Sequence, residues 1–238
     1  MISPEHHWNN KHPKVPQVYS GRYIPKHKHV VEMDIRRFVW ANDVVLSNVL
    51  SDEIIPAFDP DERSSDDDMA WCIQRWVCNG KRTQGRRKGR RVAKYVRDKK
   101  ARGYNEYWLF PVESLELGNM DCEDGAYLIA SLMLVAGIPE WRVRVAAGWV
   151  QTGGGAEQGG HAYCCYCRES DNNWVALDWC YLEDPETPVP DKPKLHDRKE
   201  YKEVWFSGNS RFSWSHTHFG LVGRIQDYKA PGVLKDEQ

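Results

Sequence analysis

The stretch GNMDCEDGAYLIASLMLVAGIP, residues 118–139, decides the fold. Its charges, Asp121, Glu123 and Asp124, all fall in the first few positions, and from Gly125 to Ala136 every residue is small, apolar or weakly polar. A helix that is apolar all round is buried on every side, so this segment is expected to be a central helix. Gly137 and Pro139 are its stop signals. Cys122 stands at its start. There the unpaired amides and the positive end of the helix dipole favour a thiolate. The amide of Cys122 is also placed to face a developing oxyanion. Taken alone, such a cysteine reads better as a structural buried thiol.

Upstream, Tyr107, Trp108, Leu109 and Phe110 precede PVESLELG, in which Pro111 can start a helical turn and Gly118 can end it. DDDMAWCIQRWVCNG, residues 66–80, has an acidic start, a glycine stop and one apolar face at spacings of three and four. A shorter helix is expected after Asn42 or Asp43, through Val44, Val45, Val49 and Leu50. Downstream the pattern changes to strands: VRVAAGWV (143–150), HAYCCYC (161–167) and WVALDWC (174–180). The links between them are a glycine-rich loop, 151–160, and the polar turn RESDNN. A tight hairpin sets the start of one strand beside the end of the next, so His161 and Asp178 are predicted neighbours. Histidine is the base a thiol nucleophile needs, and an acid behind it fixes its tautomer. Together Cys122, His161 and Asp178 overturn the structural reading of the cysteine. The loop 151–160 is expected to act as a lid beside the base.

These motifs carry a resemblance. Trp108, then Pro111, Glu113, Leu115 and Gly118, then Asp121-Cys122-Glu123-Asp124 heading a helix that closes in Gly137-Ile138-Pro139, resembles the transglutaminase-like superfamily. VRVAAGWV, the His-Ala-Tyr that follows and the Trp-Val-x-Leu-Asp after it are also similar, in the same order. The match covers about residues 66–182. It implies an α+β, papain-like core, in which a helix bearing the nucleophile packs on an antiparallel β-sheet. It also implies acyl chemistry through a thioester, with Cys122, His161 and Asp178 as catalytic triad. The resemblance is to bacterial and phage-type cysteine peptidases, so a thiol hydrolase acting on a protein or peptide substrate is expected. Transglutaminase activity and a non-catalytic virion protein retaining the fold are the alternatives. Crosslinking members usually carry an aromatic residue after the nucleophile, where this chain has Glu123. In a subset of related proteases, acids flanking the cysteine bind calcium. Here they are read first as acids matching the helix dipole, with no metal and no organic cofactor called for.

The bulk numbers fit. The 238 residues suffice for one good core, and Lys+Arg 33 against Asp+Glu 34 leaves no global field toward nucleic acid or membrane. No run of about 18 apolar residues suggests a membrane span. The first residues carry no signal-peptide pattern, so a cytoplasmic setting with reduced thiols is expected, or a virion if the chain is phage-encoded. Residues 1–30, rich in proline and histidine, read as an extended arm, 31–228 as one catalytic domain and 229–238 as a tail. The segment 81–103 holds twelve Lys or Arg and one acid. It is a weak candidate for nucleic-acid contact, and a solvated loop is the better reading because it lacks an aromatic stacking platform. Cys164, Cys165 and Cys167 alternate across a strand and so are not read as one zinc site. His216 and His218 read as hydrogen-bonded histidines. Oligomeric state is not legible.

Overall fold

A computed structural model describes residues 14–24, 29–80, 92–151, 158–216 and 223–224. The apolar segment is indeed the central helix. In order of appearance along the chain, the helices are α1 (Val44–Val49), α2 (Asp66–Asn79), α3 (Asp98–Ala101), α4 (Pro111–Leu117) and α5 (Cys122–Val135). From Glu123 to Leu134 α5 is buried without interruption, because it packs on a sheet from one side and against α2 and α4 from others. Four polar side chains set three helix starts: Asp43 caps α1, Ser65 caps α2, and Asp121 and Asp124 form a reciprocal capping box on α5. Gly118 closes α4 at φ +61°, a left-handed conformation that a glycine adopts without a Cβ clash.

The strands are β1 (Gln17–Ile24), β2 (His29–Asp34), β3 (Lys94–Tyr95), β4 (Asn119–Met120), β5 (Val143–Gln151), β6 (Gln158–Cys167), β7 (Trp174–Leu177), β8 (Tyr201–Gly208), β9 (Ser213–Ser215) and β10 (Gly223–Arg224). The main sheet is antiparallel throughout, in the order β7-β6-β5-β8-β9. The architecture is thus α+β, with the Cys122 helix on an antiparallel sheet, as expected. Among the described residues no helix is long and apolar enough to cross a membrane.

Three boundaries differ from the sequence reading. β6 begins at Gln158, so His161 lies inside the strand and not at its start. β7 ends at Leu177, because the Asp178 side chain accepts the Cys180 amide at 3.1 Å and the chain turns out of the ladder. Within residues 1–30, the described part includes β1, which pairs with β2 and β10. Pro16 and Pro25 bound this strand, which is why the segment reads as an arm. Tyr19 of β1 is fully buried, stacked on Trp108 at 4.4 Å, and its hydroxyl accepts the Trp108 amide. Residues 81–91 of the basic segment, 152–157 of the glycine-rich loop, the N-terminal histidines before residue 14, His218 and the C-terminal tail lie outside the described residues.

Candidate active site

Cys122 is the first residue of α5 and is partly buried. Trp179 is buried against this turn, its Nε1 donating to the carbonyls of Asp121 (3.0 Å) and Cys122 (3.2 Å). The amide of Ala162 on β6 donates toward the Cys122 sulfur, which puts the thiol beside the residue next to His161. His161 is 3 % exposed. Its Nε2 lies 2.7 Å from Asp178 Oδ2, and among the described residues its Nδ1 has no hydrogen-bond partner. Tyr181 meets the ring edge-on at 4.9 Å.

The β6–β7 register produces this pair. Cys164 faces Leu177, and the chain continues past Leu177 alongside the earlier part of β6. Asp178 is 1 % exposed and accepts from His161, the Cys180 amide and the Tyr201 hydroxyl at 3.2 Å, with the Cys180 thiol a longer donor at 3.9 Å. Burial pushes its carboxyl up, but these hydrogen bonds and the charge of His161 outweigh it and hold it below the usual range. Tyr201 comes from β8 and was not singled out in the sequence. Its role follows from the β5–β8 pairing, which no local pattern reveals.

Cys122 and His161 line one cavity of about 670 Å³. Trp149, Trp205 and Phe206 form an apolar wall, while Tyr181, Arg97 and Lys99 contribute to the rest of the lining. Trp149 is 39 % exposed and meets Trp205 edge-on at 5.0 Å.

The electrostatics of the thiol run against the sequence expectation. Burial, and then the charge of Asp121, push the Cys122 thiol well above its ordinary value. Its sulfur lies 3.1 Å from Glu123 Oε2, a hydrogen bond that acts in the opposite direction and is outweighed by burial. Asp121, Glu123 and Asp124 do more than match a dipole. They meet Asp98 and Glu106, brought in from the segment before α4, and the carboxylate oxygens of Asp98, Asp121 and Asp124 lie within 4.8 Å of one another, as do those of Asp98, Glu106 and Glu123. Arg102 pairs with Asp98 and lies 3.7 Å from Asp124. Burial raises all five carboxyls, Glu106 and Asp124 to about 7. Asp124 is structural as well: its oxygens accept the Leu109 and Asp121 amides. Asp121 Oδ1 and Glu123 Oε1 are buried with no hydrogen-bond partner among the described residues. An all-carboxylate donor set with unpartnered oxygens fits a hard divalent cation of the calcium kind.

The other candidates resolve simply. Cys164 and Cys165 face different apolar clusters, on opposite sides of the sheet. His216 Nε2 lies 2.8 Å from Ser207 Oγ.

No protein-family model matches this chain, and neither does any curated protein. Among solved structures, it is similar to LapG of Legionella pneumophila at 17% identity and a TM-score of 0.41, over 72% of this chain and 86% of that one. The calcium-bound form of LapG gives 17% and 0.42, over 81% and 99%. An EGTA-treated form gives 16% and 0.41, over 81% and 93%.

Proposed function

We propose that this chain is a thiol hydrolase that cleaves peptide or amide bonds, with Cys122 as nucleophile, His161 as general base and acid, and Asp178 as the group that orients His161. The observation that carries this reading is the buried 2.7 Å contact between His161 and Asp178, set in one cavity with a cysteine at a helix start. Asp178 occupies Nε2, which leaves Nδ1 as the ring nitrogen available to exchange a proton with the thiol. Burial works against a resting thiolate, so on this proposal attack proceeds by proton transfer from Cys122 to His161. The resulting imidazolium is stabilised by the Asp178 carboxylate.

The thiolate attacks the carbonyl carbon, and the amides at the start of α5 would receive the oxyanion. His161 returns the proton to the leaving amine, and a thioester remains on Cys122. A water molecule, deprotonated by the same imidazole, releases the acid and restores the thiol. A hard cation, when bound, supplies positive charge beside the thiol; Asp98, Asp121, Glu106 and Glu123 are the residues that would hold it. The apolar wall of Trp149, Trp205 and Phe206 suits an apolar side chain of a protein or peptide substrate.

The reading is tested with a peptide-based electrophile and with mass spectrometry of the acyl adduct. Labelling is expected at Cys122 alone, abolished by Cys122→Ala and slowed at least about 100-fold by His161→Ala. Equal labelling of His161→Ala, or none of the wild type, would refute it in favour of a non-catalytic chain. A tagged primary amine added to the reaction distinguishes acyl transfer: stable incorporation into an acceptor protein would assign transglutamination in place of hydrolysis.

A further inference from the structure

Cys180 has no part in the proposed reaction, yet it sits against the residues that do. It follows Asp178 by two positions, where the chain has turned out of β7. Its Sγ lies 3.9 Å from Asp178 Oδ1. One ligand atom each from His161, Asp178 and Cys180 lies within 4.8 Å of the others. This cluster differs in kind from the acidic one beside α5. It offers a nitrogen, an oxygen and a sulfur, and all three residues come from the β6–β7 side of the cleft.

Simple geometry decides what such a set can hold. A tetrahedral zinc ion takes imidazole nitrogen at about 2.0 Å and thiolate sulfur at about 2.3 Å, which separates the two ligand atoms by about 3.6 Å. Carboxylate and sulfur end at about the same separation. The 3.9 Å between Cys180 Sγ and Asp178 Oδ1 is already close to that value. The three ligand atoms, already within 4.8 Å of one another, must draw toward this separation, and the 2.7 Å His161–Asp178 hydrogen bond must open to admit the metal. Hard cations prefer all-oxygen sites, so the thiolate selects a borderline-soft metal instead. Of the three residues, His161 lines the same cavity as Cys122.

We propose that His161, Asp178 and Cys180 form a reversible binding site for a divalent metal of the zinc class, and that its occupancy blocks the hydrolase. The blocking half rests on the reading of His161 as the base, because a metal-bound imidazole cannot exchange protons with Cys122. The binding half does not depend on it. On binding, the Cys180 thiol loses one proton to solvent, and its sulfur donates an electron pair to the metal. The imidazole keeps its single proton on the nitrogen that does not ligate. One proton is released per metal, so affinity rises about tenfold per pH unit while Cys180 is protonated in the free protein.

The test uses the full chain carrying Cys122→Ala, freed of metal by chelation, so that neither the nucleophile nor turnover contributes. Cobalt(II) is titrated in and thiolate-to-cobalt charge-transfer absorption is followed; zinc is then added as competitor. One equivalent should generate the band, and zinc should abolish it. Adding Cys180→Ser should remove the band and weaken zinc binding at least about tenfold. Cobalt held by the acidic cluster would give no sulfur band. As a measurement free of a Cys180 substitution, zinc should protect Cys180 from alkylation in the native protein, read peptide by peptide. No band with Cys122→Ala, a band unchanged by Cys180→Ser, or unprotected Cys180 at saturating zinc would each overturn the site. Binding without loss of Cys122 acylation in the wild type would leave the site and defeat its link to the proposed hydrolase.

Discussion

Gly125→Ala sets two effects of opposite sign against each other, and the structure says which is larger. Gly125 lies within α5, one turn after Cys122, where alanine is worth about 1 kcal/mol more than glycine by helix propensity. A Cβ there, however, would stand 2.2 Å from Trp179 Nε1 and 2.4 Å from its Cδ1. Trp179 is 1 % exposed and cannot give way into solvent cheaply. Overpacking a filled core costs about 1–3 kcal/mol. If the indole retreats, it also leaves the Asp121 and Cys122 carbonyls that it serves, at about 1–3 kcal/mol more. The net expectation is a loss of about 3 kcal/mol, read from urea denaturation. Because Trp179 directly follows Asp178, Cys122 acylation should fall together with stability. A variant as stable as the parent, or about 1 kcal/mol more so, would mean that the helix preference rules and that the glycine does not make room for Trp179.

Asp178→Asn should slow Cys122 acylation between about 10²- and 10⁴-fold by losing the charge behind His161, measured as the rate of electrophile labelling in a variant of native far-UV spectrum. Tyr201→Phe removes one donor to Asp178 and should cost about 1 kcal/mol in denaturation while reducing acylation far less than Asp178→Asn does. The acidic cluster gives stability a pH slope. Glu106 and Asp124 are raised from 4.5 and 3.8 to about 7, so between those values the folded chain binds protons that the unfolded chain has released. Stability should therefore fall as pH rises from about 4 to 7, by several kcal/mol at the upper limit. Calcium should flatten this slope and raise Tm above pH 7, chelation should restore it, and a slope unchanged by calcium would count against the cluster as a cation site.

What the sequence discloses about this fold depends on the range of the interaction concerned. Capping signals and apolar periodicity are local, so α2, α4 and α5 are legible from the acidic start at Asp66, from Gly80, Pro111 and Gly118, and from the run after Asp124. The His161–Asp178 contact is legible too, since a short hairpin turns a sequence separation into a spatial one. β1 is hidden because its prolines stand just outside it, and its register is set by β2 and β10. Tyr201, Asp98 and Glu106 reach the site only through pairings between distant segments. Nothing near them in the chain marks their destination.

The thiol shows how a correct local reading can give the wrong sign. A helix start contributes about half an elementary charge, spread over its first turn. The sequence places Cys122 there and suggests a stabilised thiolate. The fold then buries the sulfur further and sets the Asp121 carboxyl, a full charge when ionised, close enough to act on it. Desolvation together with Asp121 pushes the thiol up, against what the dipole favours. Helix position alone therefore does not make Cys122 a nucleophile. What does so, on this reading, is a counter-charge that forms when it is needed: the imidazolium of His161, kept in place by an Asp178 carboxylate that three donors hold ionised. The His161–Asp178 pair, more than the helix dipole, is then what the reactivity of Cys122 depends on.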